Sequence, residues 1–374
     1  MNRIVRVVTG ARLHFGFLAG AEPSSVSPAN PLPDGAWRSV RTFGGVGMMV
    51  DSPSVRLSVE TSNESVEINR RDATEASRDT GATGDNAVRP EGCRDASASD
   101  YVAAEIVAPE PWRKRIEAII RRFEADEPQQ HCRAYRVTLE ETIPAHMGLG
   151  SGTQLALAVA AAIAHLQDKP LDPVRLAQRA GRGLRSAVGL YGFLHGGLIV
   201  DAGKRPEEPL SPMLVRMAVP RSWSVVGPTR AGGLSGTEEQ NAFDRLPPMP
   251  AELTARLSQL ALTGLLPAIV EANYSEFGEA LFEFNRLVGR YFIPVQGGEY
   301  TSEMAAEWVQ FARNRGIPAV GQSSWGPTLF AICPDNQTAR RLAAATRDDR
   351  RWRGWIVALT TPRNAPADVL TIEN

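Results

Sequence analysis

The stretch IPAHMGLGSGTQLALAVAAAIAHL, residues 143–166, has the pattern of a strand end, a glycine-rich turn and an alanine-rich helix. Its closely spaced glycines allow positive φ angles and close approach of a ligand to the backbone. The amides and dipole at the start of the helix favour a bound anion. The stretch predicts a phosphate-binding loop, and a tight turn with a serine or threonine helix cap is the alternative. The loop residues expected to bind phosphate are Gly148, Gly150, Ser151, Gly152 and Thr153.

Three common motifs do not fit this loop. A P-loop requires a lysine after its last glycine, and none follows here. A dinucleotide-binding fingerprint requires glycine at the position of Thr153. A nucleophile elbow around Ser151 requires glycine in place of both Leu149 and Thr153. The loop therefore belongs to none of these three classes.

The composition is that of a globular protein of 374 residues, 43% apolar and 22% charged, with a formal net charge of −1. Such a balance gives no general field to attract nucleic acid or anionic lipid. The three cysteines are far apart and odd in number, which favours a reducing cytoplasm over a disulfide framework or zinc site. The N-terminal residues lack a signal-peptide pattern, and we expect no apolar run near the roughly 20 residues of a membrane span. The sequence predicts a cytoplasmic protein with no nucleic-acid or membrane partner.

Strand and helix patterns are mixed without regular βαβ alternation, which favours an α+β fold over a doubly wound sheet. Residues 4–8 and 13–18 are expected to form two strands joined by a Gly-Ala-Arg turn. Residues 191–203 are rich in glycine and are also interpreted as strands. Asp172 followed by Pro173 predicts the start of a helix.

The chain is predicted to form two domains. Residues 69–100 contain almost no large apolar side chain and are interpreted as a solvated, disordered insertion. The segment KRPEEPLSP, residues 204–212, is the candidate linker, and residues 251–315 are expected to be mostly helical. We therefore place the domains at residues 1–203 and 213–374.

The sequence around the glycine loop resembles the phosphate loop of the GHMP kinase superfamily. The matching residues are Pro144, Gly148, Leu149, Gly150 and Ser151. A glycine-rich C-terminal motif of that superfamily is matched by VGQSSWGPT, residues 320–328, with serines where glycines are usual. The resemblance implies an N-terminal ribosomal-protein-S5-like domain and a C-terminal ferredoxin-like α+β domain.

The segment GLRSAVGL resembles a superfamily segment, S-G-x-D, that supplies the catalytic carboxylate of several of these kinases. Ser186 matches the serine, whereas Gly189 stands in the place of the aspartate. This departure disfavours an ATP-dependent small-molecule kinase, which stays the first alternative function. A non-catalytic relative that binds a phosphorylated ligand is the second.

Six collinear stretches resemble a narrower family, the β-ribofuranosylaminobenzene 5'-phosphate synthases. They are ARLHFGFL (11–18), GLGSGTQLALAVA (148–160), GRGLRSAVGLYGF (181–193), GGLIVDAG (196–203), LSGTEEQNAFDRLPPMP (234–250) and VGQSSWGPT (320–328). That family joins 5-phosphoribosyl diphosphate to 4-aminobenzoate with loss of carbon dioxide and diphosphate, an early step of tetrahydromethanopterin biosynthesis. The resemblance implies a pentosyltransferase that acts on these two small molecules with Mg2+. A homodimer is the candidate assembly.

Basic and polar side chains within these motifs form the predicted substrate site. Arg182 and Arg185 are catalytic candidates that stand three apart on an expected helix turn and would bind phosphate or carboxylate as forks, with a solvated arginine face as the alternative. His14 is a catalytic candidate or a structural histidine, and Trp325 would stack on the aromatic acid or pack in the core. Further substrate contacts are predicted for Arg12, His146, Ser186, Gln322, Ser323 and Ser324, with a turn residue as the alternative for His146. Glu238 and Glu239 are the candidate Mg2+ ligands, with solvated loop residues as the alternative.

Overall fold

The computed structural model describes residues 3–20, 41–62, 104–126, 134–183, 185–230, 241–242 and 244–373. It contains two β-sheets with helices packed against them, which confirms the α+β prediction. The predicted insertion at residues 69–100 lies outside the described residues, as do Glu238 and Glu239.

Eleven strands form the two sheets within the described part of the chain. They are β1 (Arg3–Phe17), β2 (Gly45–Ser62), β3 (Ala104–Val107), β4 (Ala134–Glu141), β5 (Leu198–Asp201), β6 (Met213–Met217), β7 (Ser224–Thr229), β8 (Val320–Gln322), β9 (Leu329–Cys333), β10 (Ile356–Thr360) and β11 (Asp368–Glu373). The larger sheet has the order β11-β1-β2-β4-β3, with β5 beside β2 and β6 beside β5. The smaller sheet has the order β10-β7-β9-β8. Only the β3–β4 pair is parallel among these described strands.

Helices pack against both sheets. They are α1 (Glu110–Ala125), α2 (Ser151–Leu166), α3 (Pro173–Ala180), α4 (Val188–His195), α5 (Ala251–Leu260), α6 (Leu266–Val270), α7 (Tyr274–Tyr291), α8 (Ile293–Gln296), α9 (Glu303–Arg313) and α10 (Asn336–Asp348). The alanine-rich α2 is buried along almost its whole length against β1 and β2, because small side chains permit close approach. Helix α7 contacts both β1 and β8, and so connects the two sheets.

The sheets divide the chain differently from the predicted domains 1–203 and 213–374. Strand β6 pairs with β5, and β11 pairs with β1, so both of these strands belong to the larger sheet. The chain therefore returns to its N-terminal sheet at the end, where β11 satisfies the backbone groups along the outer edge of β1. The smaller sheet is formed by residues between these two strands.

Two local predictions were wrong. Residues 3–17 form one strand instead of two, because Gly10 does not turn the chain. A Cβ on Gly10 would collide with the carbonyl of Val50, so this glycine permits close contact between β1 and β2 at a register shift. Of residues 191–203, which were predicted as strands, 191–195 belong to helix α4, whereas 198–201 form β5 as predicted. The apolar residues of α4 are buried on all sides, so its sequence lacks the alternation of polar and apolar faces that predicts a helix.

The predicted helix start at Asp172 is confirmed. The side chain of Asp172 accepts a hydrogen bond from the amide of Arg175 at 2.9 Å, and Pro173 is the first residue of α3. The helix ends at Ala180, and the φ of +61° at the following Gly181 closes the last turn.

The helical run Ala251–Val270 corrects the expectation that no apolar segment approaches the length of a membrane span. By length and composition alone, its 20 residues are long and apolar enough to cross a membrane, and 28% of its most apolar stretch is buried in the protein. Core helices of soluble proteins meet the same criterion, and Leu257 and Leu265 of this run lie in the hydrophobic core. The absence of a membrane partner stays a prediction.

Candidate functional site

The glycine loop adopts the backbone conformation that its sequence predicts. Gly148 and Gly150 both have φ angles of +75°. Gly150 is the N-cap residue of α2, and its carbonyl accepts hydrogen bonds from the amides of Thr153 and Gln154. Because a glycine rather than a serine or threonine occupies the cap, side-chain capping does not account for this turn.

Three arginines surround the loop. A Cβ on Gly150 would lie 3.5 Å from Nε of Arg12, and a Cβ on Gly152 would lie 3.0 Å from Nη2 of Arg182 and 3.4 Å from Nη1 of Arg115. Nη2 of Arg182 also donates to the carbonyl of Gly152 at 2.9 Å. The start of α2 therefore combines a helix N-terminus with guanidinium groups, an arrangement suited to an anion with several negative charges.

The structure places the predicted arginines differently from the sequence interpretation. Helix α3 ends at Ala180, so Arg182 and Arg185 are not on one helical turn. Arg182 reaches the loop from the connection after α3, where its amide donates to the carbonyl of Ala177. Arg115 was missed, because it lies on the exposed side of α1 among other basic residues and no local pattern distinguishes it.

His14, Ser186 and Asp201 form a hydrogen-bonded chain beside the loop. Nε2 of His14 lies 3.3 Å from Oγ of Ser186, and Ser186 donates to Oδ2 of Asp201 at 2.9 Å. Asp201 is fully buried at the end of β5 and was not predicted as a site residue. It ends an apolar strand in the motif GGLIVDAG, and a carboxylate in such surroundings is the signal that could have found it.

The imidazole of His14 is only 1% exposed. It lies opposite the apolar face of Leu13 and Phe15, as predicted, but this second face of β1 is covered as well. Its ring centroid is 4.8 Å from that of Phe17. Burial, and then the positive charge of Arg12, lower the pKa of His14 well below its usual value. The ring is therefore neutral at physiological pH.

The C-terminal glycine motif is hydrogen-bonded to the first loop. Oγ of Ser323 donates to the carbonyl of Gly148 at 2.8 Å and accepts from the amide of His14 at 3.0 Å. The amide of Ser324 donates to the carbonyl of His14 at 3.0 Å. Oε1 of Gln322 accepts hydrogen bonds from Thr301. These side chains hold the loops together through bonds within the protein.

The other predicted contacts occupy different surroundings. Trp325 is 3% exposed and packs against Phe292 with ring centroids 4.3 Å apart, which corresponds to the core-packing alternative. His146 is exposed, with a φ of +60°, in the turn before the glycine loop. The carbonyl of Gly189 accepts from Nε2 of Gln154 at 2.9 Å, so the position without a carboxylate lies directly against the start of α2.

The expected Mg2+ site stays a prediction. The described residues contain no group of three or more His, Cys, Asp or Glu side chains that could hold a metal ion. The two predicted ligands, Glu238 and Glu239, lie outside the described ranges.

Two domain families match the chain. The GHMP kinases N terminal domain matches residues 114–197, and the GHMP kinases C terminal domain matches residues 265–349. The first match contains the glycine loop together with Arg115 and Arg182. These matches confirm the predicted GHMP-kinase-like fold.

Curated relatives share one name. Beta-ribofuranosylphenol 5'-phosphate synthase from Archaeoglobus fulgidus is 34% identical over 231 residues, which cover 58% of this chain and 71% of that protein. The protein of that name from Methanothermobacter thermautotrophicus is 32% identical over 212 residues, which cover 53% of this chain and 63% of that protein. The match to the second relative thus spans less than two thirds of its length.

Solved structures of kinases share the fold. Homoserine kinase from Cytophaga hutchinsonii has a TM-score of 0.62 at 15% identity, with 98% of this chain and 97% of that chain covered. Mevalonate-3-kinase from Thermoplasma acidophilum has a TM-score of 0.60 at 14% identity, with both chains fully covered. At these identities the likeness shows the fold alone.

Proposed function

Because the chain belongs to the β-ribofuranosylphenol 5'-phosphate synthase family, we propose that it is a pentosyltransferase that uses 5-phosphoribosyl diphosphate. The acceptor is a benzoate with an amino or hydroxyl group para to its carboxylate. The products are a ribofuranosyl arene 5'-phosphate, carbon dioxide and diphosphate. In this proposal the glycine loop holds a phosphate group of the donor and transfers none of it.

The arrangement of arginines around the glycine loop carries this proposal. Arg12, Arg115 and Arg182 approach the N-terminus of α2, where the donor's diphosphate would gain charge as it leaves. Departure of diphosphate generates an oxocarbenium-like C1, and the ring carbon that bears the carboxylate attacks it. Loss of carbon dioxide then restores aromaticity. The protein contributes positioning and electrostatic stabilisation rather than a covalent intermediate.

The acceptor is the second part of the proposal. The resemblance of the sequence stretches implies 4-aminobenzoate, whereas the name of the curated relatives contains ribofuranosylphenol. The same reaction gives a phenol product when the acid carries a hydroxyl group, so 4-hydroxybenzoate is the matched candidate. We propose both as substrates to be compared, with the tetrahydromethanopterin pathway as the context if 4-aminobenzoate is preferred.

Gly189 argues against phosphoryl transfer at this site. A Cβ at this position would lie 3.1 Å from Cγ2 of Thr153, beside the first turn of α2. A kinase of this fold with an aspartate here would bring a carboxylate to the nucleotide phosphates. Gly189 supplies no carboxylate at this position.

The decisive assay supplies purified protein with phosphoribosyl diphosphate, Mg2+ and one of the two acids, labelled in its carboxyl group. We expect labelled carbon dioxide in an amount equal to the diphosphate released. Gly150→Val protein is the negative control. Consumption of ATP on a small alcohol without release of carbon dioxide would show a kinase instead. Omission of Mg2+ from the same assay tests the expected metal requirement.

A further inference from the structure

The buried carboxylate of Asp201 is surrounded by hydrogen-bond donors. Oδ1 accepts from the amide of Gly203 at 3.0 Å and from Oγ of Ser211 at 2.6 Å. Oδ2 accepts from the amide of Ala187 at 3.0 Å and from Oγ of Ser186 at 2.9 Å. Backbone amides only donate, so each carboxylate oxygen must act as an acceptor. Burial raises the pKa of Asp201, whereas these four hydrogen bonds oppose that rise and favour the ionised carboxylate.

The orientation of the Ser186 hydroxyl follows from that carboxylate. The hydroxyl carries one hydrogen, and it donates this hydrogen in the hydrogen bond to Oδ2 of Asp201. Oγ also receives the amide hydrogen of Val188 at 3.2 Å. Nε2 of His14, 3.3 Å from the same oxygen, must then donate, because two facing acceptors repel each other. The neutral imidazole is therefore the Nε2–H tautomer, which leaves a lone pair on Nδ1.

Nδ1 of His14 has no hydrogen-bond partner among the residues that the structure describes. An acceptor buried to this degree costs stability unless a donor reaches it. A small cavity whose lining includes His14, Phe17, Phe292 and Ser324 adjoins this histidine. Its volume of about 10 Å³ is room for one hydroxyl or amino group.

We propose that Asp201, acting through Ser186, is a positioning residue that fixes His14 so that Nδ1 accepts the hydrogen of an aromatic hydroxyl or amino group. The inference rests on the proposed function for the identity of the substrate. Aromatic rings near His14 favour an aromatic ligand on this side, with Phe17 4.8 Å from His14 and Phe292 6.3 Å from Phe17. The phosphates of the donor belong with the arginines of the glycine loop, and Ser323 connects these two sides.

The hydrogen that the amino or hydroxyl group gives to Nδ1 returns to that group by the end of the reaction. When the ring carbon forms its bond to C1 and diphosphate leaves, the lone pair on the amino nitrogen or hydroxyl oxygen moves into the ring, and its hydrogen passes to Nδ1. When the bond to the carboxyl carbon breaks, that electron pair restores the aromatic ring. The proton then returns from Nδ1 to the nitrogen or oxygen, and His14 is unchanged.

Nitrogen-15 NMR of protein labelled only at histidine tests the tautomer without any activity. The His14→Gln spectrum identifies the His14 signals among those of the five histidines. We expect wild-type His14 to be neutral with hydrogen on Nε2 at neutral pH. Hydrogen on Nδ1, or a protonated ring, would overturn the inference whatever the enzyme catalyses.

Ser186→Ala removes the hydroxyl that connects Asp201 to His14. Ser211→Ala is the matched control, because it removes a hydrogen bond to the other carboxylate oxygen of Asp201. We expect Ser186→Ala to mix the two tautomers and to lower kcat by about tenfold to a hundredfold, with unchanged donor affinity. Ser211→Ala should keep the Nε2–H tautomer and kcat despite a comparable loss of Tm. Equal effects of the two variants on kcat would reduce Ser186 to a structural role. Ser186→Thr, which keeps a hydroxyl, should restore the wild-type tautomer.

The last measurement identifies the donor to Nδ1. The Nδ1 resonance is followed as 4-aminobenzoate or 4-hydroxybenzoate is added in the presence of inorganic diphosphate, with binding verified by calorimetry. A shift of Nδ1 with the acids and not with diphosphate alone is the expected result. Binding of both acids without that shift would overturn the role of Nδ1. If the wild-type tautomer is confirmed while no pentosyltransferase activity is found, the proposed function fails and the positioning by Asp201 stands.

Discussion

The backbone of Gly326 lies directly against the backbone of Gly148. A Cβ on Gly148 would lie 2.8 Å from Cα of Gly326, and a Cβ on Gly326 would collide with both N and Cα of Gly148. The two glycine motifs, 178 residues apart in the chain by their numbers (326 − 148), therefore meet where no side chain fits. This contact sets the position of the loop at the start of α2.

Gly326→Ala should displace the glycine loop. The added methyl group meets backbone atoms that cannot rotate away, so we expect a loss of about 1–3 kcal/mol in the free energy of unfolding. Affinity for phosphoribosyl diphosphate should fall more than affinity for the aromatic acid. Urea unfolding and calorimetry measure the two effects. Gly227→Ala is the control, because its Cβ would meet nothing closer than 3.9 Å. An unchanged donor affinity in folded Gly326→Ala protein would contradict this role of the contact.

Gly150→Val tests whether the loop holds phosphate. Its φ of +75° strains any residue with a Cβ, at a cost of about 1–2 kcal/mol. The side chain also blocks the space beside Arg12, so donor binding should be lost in calorimetry. Gly297→Val carries similar strain at a φ of +84° with nothing within 4 Å, and should lose stability without losing donor binding. If the two variants bind the donor equally well, the loop is only a helix start.

The sequence revealed the features that are local in the chain. The glycine loop, the helix start at Asp172 and the alanine-rich helix each depend on a few adjacent residues, and the structure contains all three. The pairing of β6 and β11 with the larger sheet was missed, because register between distant strands leaves little trace in either segment.

The candidate site was predicted in part for the same reason. The role of Asp201 becomes visible only when β5 brings its carboxylate to Ser186, and Arg115 only when α1 packs beside α2. Trp325 shows the opposite case, because its sequence context suited both stacking on a substrate and packing in the core. Only the neighbouring Phe292 favours packing.

Arg182→Ala should weaken donor binding by about 1–3 kcal/mol, because a charge-assisted hydrogen bond to the diphosphate would be lost. Arg175→Ala on the exposed side of α3 is the control, since it removes the same charge away from the loop. Calorimetric Kd values at two salt concentrations distinguish a direct contact with the donor from a long-range electrostatic effect, because salt screens the long-range effect more strongly. Arg185→Ala should act in the same direction as Arg182→Ala. Equal Kd changes for Arg175→Ala and Arg182→Ala would mean that neither arginine contacts the donor.

His14 should make the stability of the protein depend on pH below its ordinary titration range. Burial, followed by Arg12, lowers its pKa in the folded state, whereas in the unfolded chain it titrates near its usual 6.5. Above pH 6.5 both states hold neutral imidazole, and its contribution is fully present. As the pH falls from there toward the folded pKa, the unfolded state binds the proton first. Stability is therefore lost with acidification, by at most about 1.4 kcal/mol per pH unit.

The measurement compares urea unfolding of wild-type and His14→Gln protein between pH 7.5 and about pH 5. Burial also lowers the pKa of His195 and raises that of Asp201, but both groups are present in the two proteins and largely cancel in the difference. We expect the wild type to lose stability relative to His14→Gln as the pH falls below 6.5, because glutamine cannot take up the proton. The sign would be opposite if His14 were held as a cation in the folded state. Parallel curves for the two proteins would mean that His14 titrates normally after folding, and a neutral acceptor at Nδ1 would then be absent at mildly acidic pH.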